Sequence, residues 1–145
     1  RPHTPDVDLT PGIRAPISLQ EGGAWSYTVG PFTLLAGDFF GVTRDDVGPI
    51  DALYDRAAPI AQPPSMRRRY AAQVRALVPD GPRGVVITLE YPDGAMEGPP
   101  FAVSEADLRG LYPDTPIALL ETPGLTLPPS DPAGITVLEH CFALG

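Results

Sequence analysis

From Ile50 onward, short β-prone apolar runs alternate with segments of helical periodicity, in the order strand, helix, strand, helix, strand, strand. Alternation of this kind requires crossover connections, so it restricts the chain to a mainly parallel sheet with helices on its faces. Ile50 to Tyr54 is a compact apolar run ending in Asp55-Arg56, the pattern of a buried strand with a charged pair at its carboxyl end. Ser65 is expected to cap a helix through about Val78. Tyr70, Val74, Leu77 and Val78 fall on one face of it, and Pro79-Asp80-Gly81-Pro82 ends it. Gly84 to Tyr91, with Val85, Val86, Ile87 and Leu89, reads as a central strand. Ser104 and Asp107 have the spacing of a capping box and open a helix carrying Leu108 and Leu111. Ile117 to Glu121 and Ile135 to Ala143 are the closing strands, separated by a proline-rich connector, Pro123 to Pro132. Because no helix joins this last pair, a terminal antiparallel strand is expected.

Upstream, Trp25 to Val29 and Phe32 to Ala36 flank Gly30-Pro31 and predict a hairpin with Trp25 in its core. Thr43 to Asp46 repeats the capping-box spacing, so a short helical turn should run up to Gly48-Pro49. Residues 1–20 read as an irregular polar tail. The whole is expected to form a single domain over residues 1–145.

Composition narrows the partners. The 145 residues carry a net charge of -8 and no lysine, the ten basic residues all being arginine. Such a surface repels phosphate backbones, which argues against nucleic acid. Arg67-Arg68-Arg69 is expected on a solvated helix face. No apolar run approaches the length of a membrane span, so no membrane partner is expected. The single cysteine, Cys141, fits a reducing compartment and a cytoplasmic location. His140 and Cys141 are adjacent in a strand, point to opposite faces and cannot chelate one ion together, so no metal site is expected. No Gly-x-Ser-x-Gly and no Ser/His/Asp set is present to support a hydrolase.

Three stretches carry a resemblance. "GPIDALYDRAAPIAQPPSMRRRYAAQVRALVPDG", "ITLEYPDGAMEGPPFAVSEADLRGLY" and "FTLLAGDFF" occur at natural spacing. Together they are similar to the centre, the fifth-strand region and the third-strand turn of bacterial thiopurine S-methyltransferases. The match covers roughly Trp25 to Tyr112. It implies a Rossmann-like class I methyltransferase sheet and methyl transfer from S-adenosylmethionine to a small thiol, thiopurine, selenium or tellurium acceptor. It further implies Asp38 and Phe39 at the cofactor's adenosine, and Arg56 at the cofactor and near the acceptor. Pro99, Pro100 and Phe101 are implied as a wall on the acceptor side, with no catalytic acid or base.

The family's usual strand order is 3-2-1-4-5-7-6, and its first strand, glycine-rich turn and second strand have no counterpart in this sequence. Two explanations follow, a fragment of a longer enzyme or a shortened relative. The second admits a homodimer, with strand 3 moved to cover strand 4. It also admits a non-catalytic remnant serving as an interaction or small-ligand module.

Overall fold

In the computed structural model, residues 25–122 and 136–145 are described in full, together with the backbone of Ile17–Leu19 and Gly124–Thr126. The chain divides into two compact units, Arg1–Asp46 and Val47–Gly145.

The first unit holds a three-stranded antiparallel sheet ordered β1-β2-β3, with β1 at Ile17–Leu19, β2 at Trp25–Val29 and β3 at Phe32–Ala36. The turn between β2 and β3 falls at Gly30, whose φ of 57° is a conformation glycine adopts without strain. Trp25 pairs with Ala36 and is half-buried rather than core; Tyr27 and Ser26 are the buried residues of β2. The expected irregular tail is corrected at β1, because Ile17 and Leu19 pair with Tyr27 and Trp25. A third strand gives the hairpin the support that two strands alone lack. The rest of residues 1–20 lies outside the described residues. A 3-10 turn, Phe39–Gly41, and the helical turn α1, Arg44–Val47, complete the unit. Thr43 opens α1 as its spacing implied, its backbone N and Oγ1 both bonding Asp46 Oδ2 at 2.7 Å.

The second unit is a sheet ordered β4-β5-β8-β6, with β7 beside β8. Its strands are β4 (Leu53–Arg56), β5 (Gly84–Glu90), β6 (Ile117–Glu121), β7 (Gly124–Thr126) and β8 (Thr136–Leu144). The helices are α2 (Ala58–Ala61), α3 (Pro64–Leu77) and α4 (Glu105–Leu111). Among the described residues only the β4–β5 ladder is parallel; β5, β6 and β7 each pair with β8 antiparallel. This corrects the mainly parallel arrangement expected for the ladders. The reason is the reversed last strand: β8 lies between β5 and β6, as the order 4-5-7-6 implied, and every pairing it makes is antiparallel. β4, β5 and β6 still share one direction.

Two element starts also differ from expectation. β4 begins at Leu53 rather than Ile50, where the Leu53 amide donates to Arg83 O at 2.7 Å. The two strands approach so closely there that a Cβ on Gly84 would lie 1.9 Å from Leu53 O. Helix α3 starts at Pro64, without a side-chain cap. Proline at the first helical position supplies the right φ and lacks an N–H that would otherwise need a partner. Ser65 therefore falls inside the first turn.

Asp55, Val86 and Phe142 are register partners across β4, β5 and β8 and share one sheet face. Helix α3 lies on that face, burying Tyr70, Ala71, Val74 and Leu77. Helix α4 packs beside it through Leu108 and Leu111, and the Arg75 guanidinium bonds Leu111 O. Val86, Val103 and Leu108 are completely buried and mark the centre of the core. The opposite face carries Tyr54, Arg56, Ile87 and Leu89 by the two-residue alternation of strands. Among the described residues no helix is long and apolar enough to cross a membrane.

Candidate functional site

The carboxyl ends of neighbouring parallel strands are where ligands gather in open α/β sheets. In the second unit those ends belong to β4 and β5, and a cleft of about 500 Å³ opens beside them. It is lined by Arg56, Ala57, Ile60, Ile87, Leu89 and Glu139.

Each lining residue has a local cause. Arg56 ends β4 and faces away from α3, opposite its neighbour Asp55. Ala57 then turns the chain at φ 89°, the one positive φ found on a non-glycine residue among those described. That turn starts α2 and brings Ile60 over the cleft. Ile87 and Leu89 form an apolar floor on the outer face of β5. Glu139 is the register partner of Leu89 on β8, so it stands at the same height on the far wall. Arg56 Nη2 and Glu139 Oε2 are 3.4 Å apart, with side chains 60% and 19% exposed.

Asp55 anchors this corner from below. It is 4% exposed and accepts the Tyr70 hydroxyl at 2.7 Å. Burial raises its pKa, against the lowering effects of the Tyr70 hydroxyl and the Ala58 amide. Tyr70 in turn is pushed far above the ordinary phenol range, chiefly by burial and then by the Asp55 charge. Asp55 is thus a structural partner for α3 and for the start of α2, not the partner of Arg56.

The proline loop meets the cleft indirectly. Pro99 and Pro100 are exposed, Phe101 is half-buried, and none of the three lines the cavity. Both Gly98-Pro99 and Pro99-Pro100 are cis. The loop is pinned at both sides, by the Phe101 amide donating to Ile60 O and by the Tyr91 hydroxyl donating to Pro100 O, each at 2.7 Å. The Phe101 ring folds back over Gly98, where an added Cβ would come within 2.3 Å of Cδ1.

Asp38 and Phe39 belong to the first unit, Arg56 and the loop to the second. Asp38 caps the 3-10 turn, its Oδ1 accepting from the Phe40 amide at 3.0 Å, and both Asp38 and Phe39 are exposed. The acid of this turn is therefore partly engaged in holding the turn itself.

The profile of the family "Thiopurine S-methyltransferase" matches residues 11–140. The chain belongs to that family. It is 46% identical over 105 residues to a thiopurine S-methyltransferase of Pseudomonas aeruginosa (strain UCBPP-PA14), an alignment covering 72% of this chain and 46% of that protein. A probable thiopurine S-methyltransferase of Yarrowia lipolytica is 50% identical over 86 residues, or 59% of this chain and 40% of the relative. That of Azotobacter vinelandii is 46% identical over 98 residues, covering 67% and 45%. The chain thus spans slightly less than half the length of the curated relatives it matches.

The stretch matched to the thiopurine S-methyltransferase family contains every residue of the cleft. The family implies S-adenosylmethionine, and the cleft fits one part of it. Arg56 keeps N–H groups beyond the one near Glu139 and stands above an apolar floor, which suits a carboxylate on a short chain. Among the described residues no glycine-rich turn joins a strand to a helix, so nothing is assigned to the remainder of the methionyl end. Residue-level reading named Arg56 but missed Ala57, Ile60 and Glu139. The register of β8 against β5 is what brings Glu139 to the cleft, and no local motif announces it.

Proposed function

We propose that this chain acts as a methyltransferase that moves a methyl group from S-adenosylmethionine to a small soft nucleophile, a thiol, thiopurine, or selenium or tellurium species. The single observation carrying the reading is the placement of Arg56 above Ile60, Ile87 and Leu89 at the carboxyl end of β4. The sheet order β4-β5-β8-β6 supports it, because it reproduces the 4-5-7-6 part of the order expected for the fold, with the reversed strand inserted.

S-adenosylmethionine, when bound, supplies an electrophilic sulfonium methyl. The work left to the protein is alignment and exclusion of water, since a thiolate attacking such a methyl needs no general base. In this reading Arg56 orients an anionic group and the apolar floor removes water from the reacting partners. The pinned loop at Pro99, Pro100 and Phe101 closes the acceptor side through Ile60. We also assign the protein a cytoplasmic setting on the strength of its lone cysteine.

Calorimetry with S-adenosylhomocysteine tests the reading. Heat of binding at millimolar ligand, reduced at least tenfold in affinity by Arg56→Ala, is the expected result. Absence of binding to the wild-type chain would remove the claim for it, and an affinity unchanged by the substitution would remove Arg56 from the site.

A further inference from the structure

We propose that a second cleft, between α3 and α4, binds a small monocarboxylate, with its head group on Arg67 and Arg68 and its short apolar tail on α4. The site is separate from the β4–β5 cleft and does not depend on the reading given to that cleft.

The cleft holds about 300 Å³. Arg67 and Arg68 line it from α3, and Ala106, Asp107, Gly110 and Leu111 line it from α4. Arg67 requires an acceptor that the fold does not supply. The residue is 6% exposed, and its Nε donates to Gln62 O at 3.2 Å. Its Nη2 is buried with no hydrogen-bond partner. A guanidinium keeps its proton at any ordinary pH, so the unmet N–H cannot be relieved by neutralisation and calls for an explanation. Asp107 is not that partner. Among the described residues no ion pair joins it to Arg67, and its Oδ2 accepts Ser104 N at 3.0 Å and Ser104 Oγ at 2.8 Å. Arg68 stands exposed at the rim. The cleft thus sets two guanidinium groups against one carboxylate, a local positive excess on a chain whose net charge is -8.

The facing wall leaves room. Gly110 lies within α4, where glycine weakens a helix relative to alanine. Neither backbone nor packing requires it: its φ is not positive, and an added Cβ would meet no atom within 4 Å. Ala106 sits one turn earlier on the same face. These two small residues keep the cleft open opposite the arginines, and Leu111 adds apolar surface beside them.

This asymmetry selects the ligand. A carboxylate has two oxygens, and both can be met from the arginine side. The carbon chain behind it lies on Ala106, Gly110 and Leu111, removing apolar area from water. Phosphate would turn its remaining oxygens toward that apolar wall and toward the Asp107 carboxylate. A neutral ligand of the same shape would leave the guanidinium charge unanswered. Because Nη2 itself is covered, binding turns the Arg67 guanidinium toward the cleft that its side chain already lines, a rotamer adjustment common at binding sites.

Amide chemical-shift titration of the 145-residue chain with sodium butyrate tests the site. Saturable shifts are expected in residues 64–68 and 106–111, with none from butyramide, which has the same shape without the charge. Inorganic phosphate should bind more weakly than butyrate. Arg67→Met should weaken butyrate by at least about tenfold, the scale of one hydrogen bond to a charged group. Gly110→Leu fills the cleft while keeping both arginines, and a similar loss is expected. Arg56→Ala should leave the affinity within about twofold, which separates this site from any carboxylate effect in the β4–β5 cleft.

Absence of saturable butyrate shifts in these two segments would overturn the proposal, as would equal binding of butyramide or loss of the shifts in R56A. Phosphate binding more tightly than butyrate would overturn the ligand assignment. An R67M affinity within about twofold of wild type would remove Arg67 from the site and the proposal with it. Should R67M fail to fold, G110L decides: weakened butyrate binding supports the cleft, and unchanged binding refutes it.

Discussion

The Tyr70 hydroxyl donates to Asp55 Oδ2 at 2.7 Å across the packed face of the sheet, tying the middle of α3 to the residue that precedes Arg56. Both groups are buried, so the bond works where water cannot replace it. Tyr70→Phe removes the donor and keeps the ring, leaving the carboxylate with less solvation than its burial requires. A hydrogen bond to a charged group contributes ~1.5–3 kcal/mol, and that loss is expected in urea unfolding at pH 7. Cleft geometry should loosen with it, read as weaker binding of S-adenosylhomocysteine well below the unfolding midpoint.

The same carboxyl sets a pH dependence. Its folded pKa is raised above the unfolded value, mainly by burial, so the folded state holds the proton more tightly. The stabilising contribution of the protonated form is complete below the unfolded value of about 3.9 and is lost as pH rises through the folded pKa. Asp55→Asn, which still offers an oxygen to Tyr70, should abolish this part of the profile. The stability of wild type relative to D55N is expected to shift in favour of wild type as pH falls from 7 toward 4. In Tyr70→Phe, with a lowering influence removed, the same window should extend to higher pH. A wild-type profile parallel to that of D55N from pH 4 to 7 would show that Asp55 is not the group responsible.

Gly98 offers a steric test of the loop. Its φ of 72° strains any side chain, and an added Cβ would collide with the Phe101 ring at 2.3 Å. A left-handed non-glycine residue costs ~1–2 kcal/mol, and the collision adds to it. Gly98→Ala should therefore lower stability by more than the backbone cost alone. Adding Phe101→Ala removes the clash but not the backbone strain, so the double variant should show a coupling of opposite sign to the Gly98 penalty in a thermal-unfolding cycle.

How far the sequence disclosed this structure depended on the range of the interactions. Local chemistry was legible: the box at Ser104 and Asp107 forms in full, with Asp107 Oδ2 accepting both Ser104 N and Oγ. Tyr70, Val74, Leu77 and Val78 are buried as their spacing required. The β2–β3 turn and the bounds of β6 also followed from local residues. Sheet order followed only from the family resemblance, whose 4-5-7-6 order the sheet β4-β5-β8-β6 reproduces; the long-range pairing that sets it leaves no mark on β8 itself. Glu139 was missed for the same reason: it reads as a polar strand residue until its register with Leu89 is known. His140, weighed only as a metal ligand, instead lies between Thr122 Oγ1 at 3.0 Å and Glu90 Oε2 at 3.1 Å. At Asp38 the residue type was legible as a turn former, while its engagement with the Phe40 amide is set by the fold of the 3-10 turn that it caps.

The arginine run at the start of α3 gives the last test, because its three members look alike in sequence and differ in the fold. The expected solvated face is corrected at Arg67, which is 6% exposed while Arg68 and Arg69 are exposed. Helical geometry explains this: Arg67 sits three and four residues before the buried Tyr70 and Ala71 and turns inward with them. Its Nε donates to Gln62 O at 3.2 Å, but its Nη2 is buried without a hydrogen-bond partner, and burial lowers its pKa. A buried cation left partly unsatisfied costs stability that an apolar side chain of similar length does not. Arg67→Met is therefore expected to be neutral or to stabilise the chain by ~1–2 kcal/mol in urea unfolding. Arg68→Met, on the exposed side, should change stability by less than about 0.5 kcal/mol. A loss of more than about 2 kcal/mol in R67M would mean that the bond to Gln62 O outweighs the desolvation of the guanidinium.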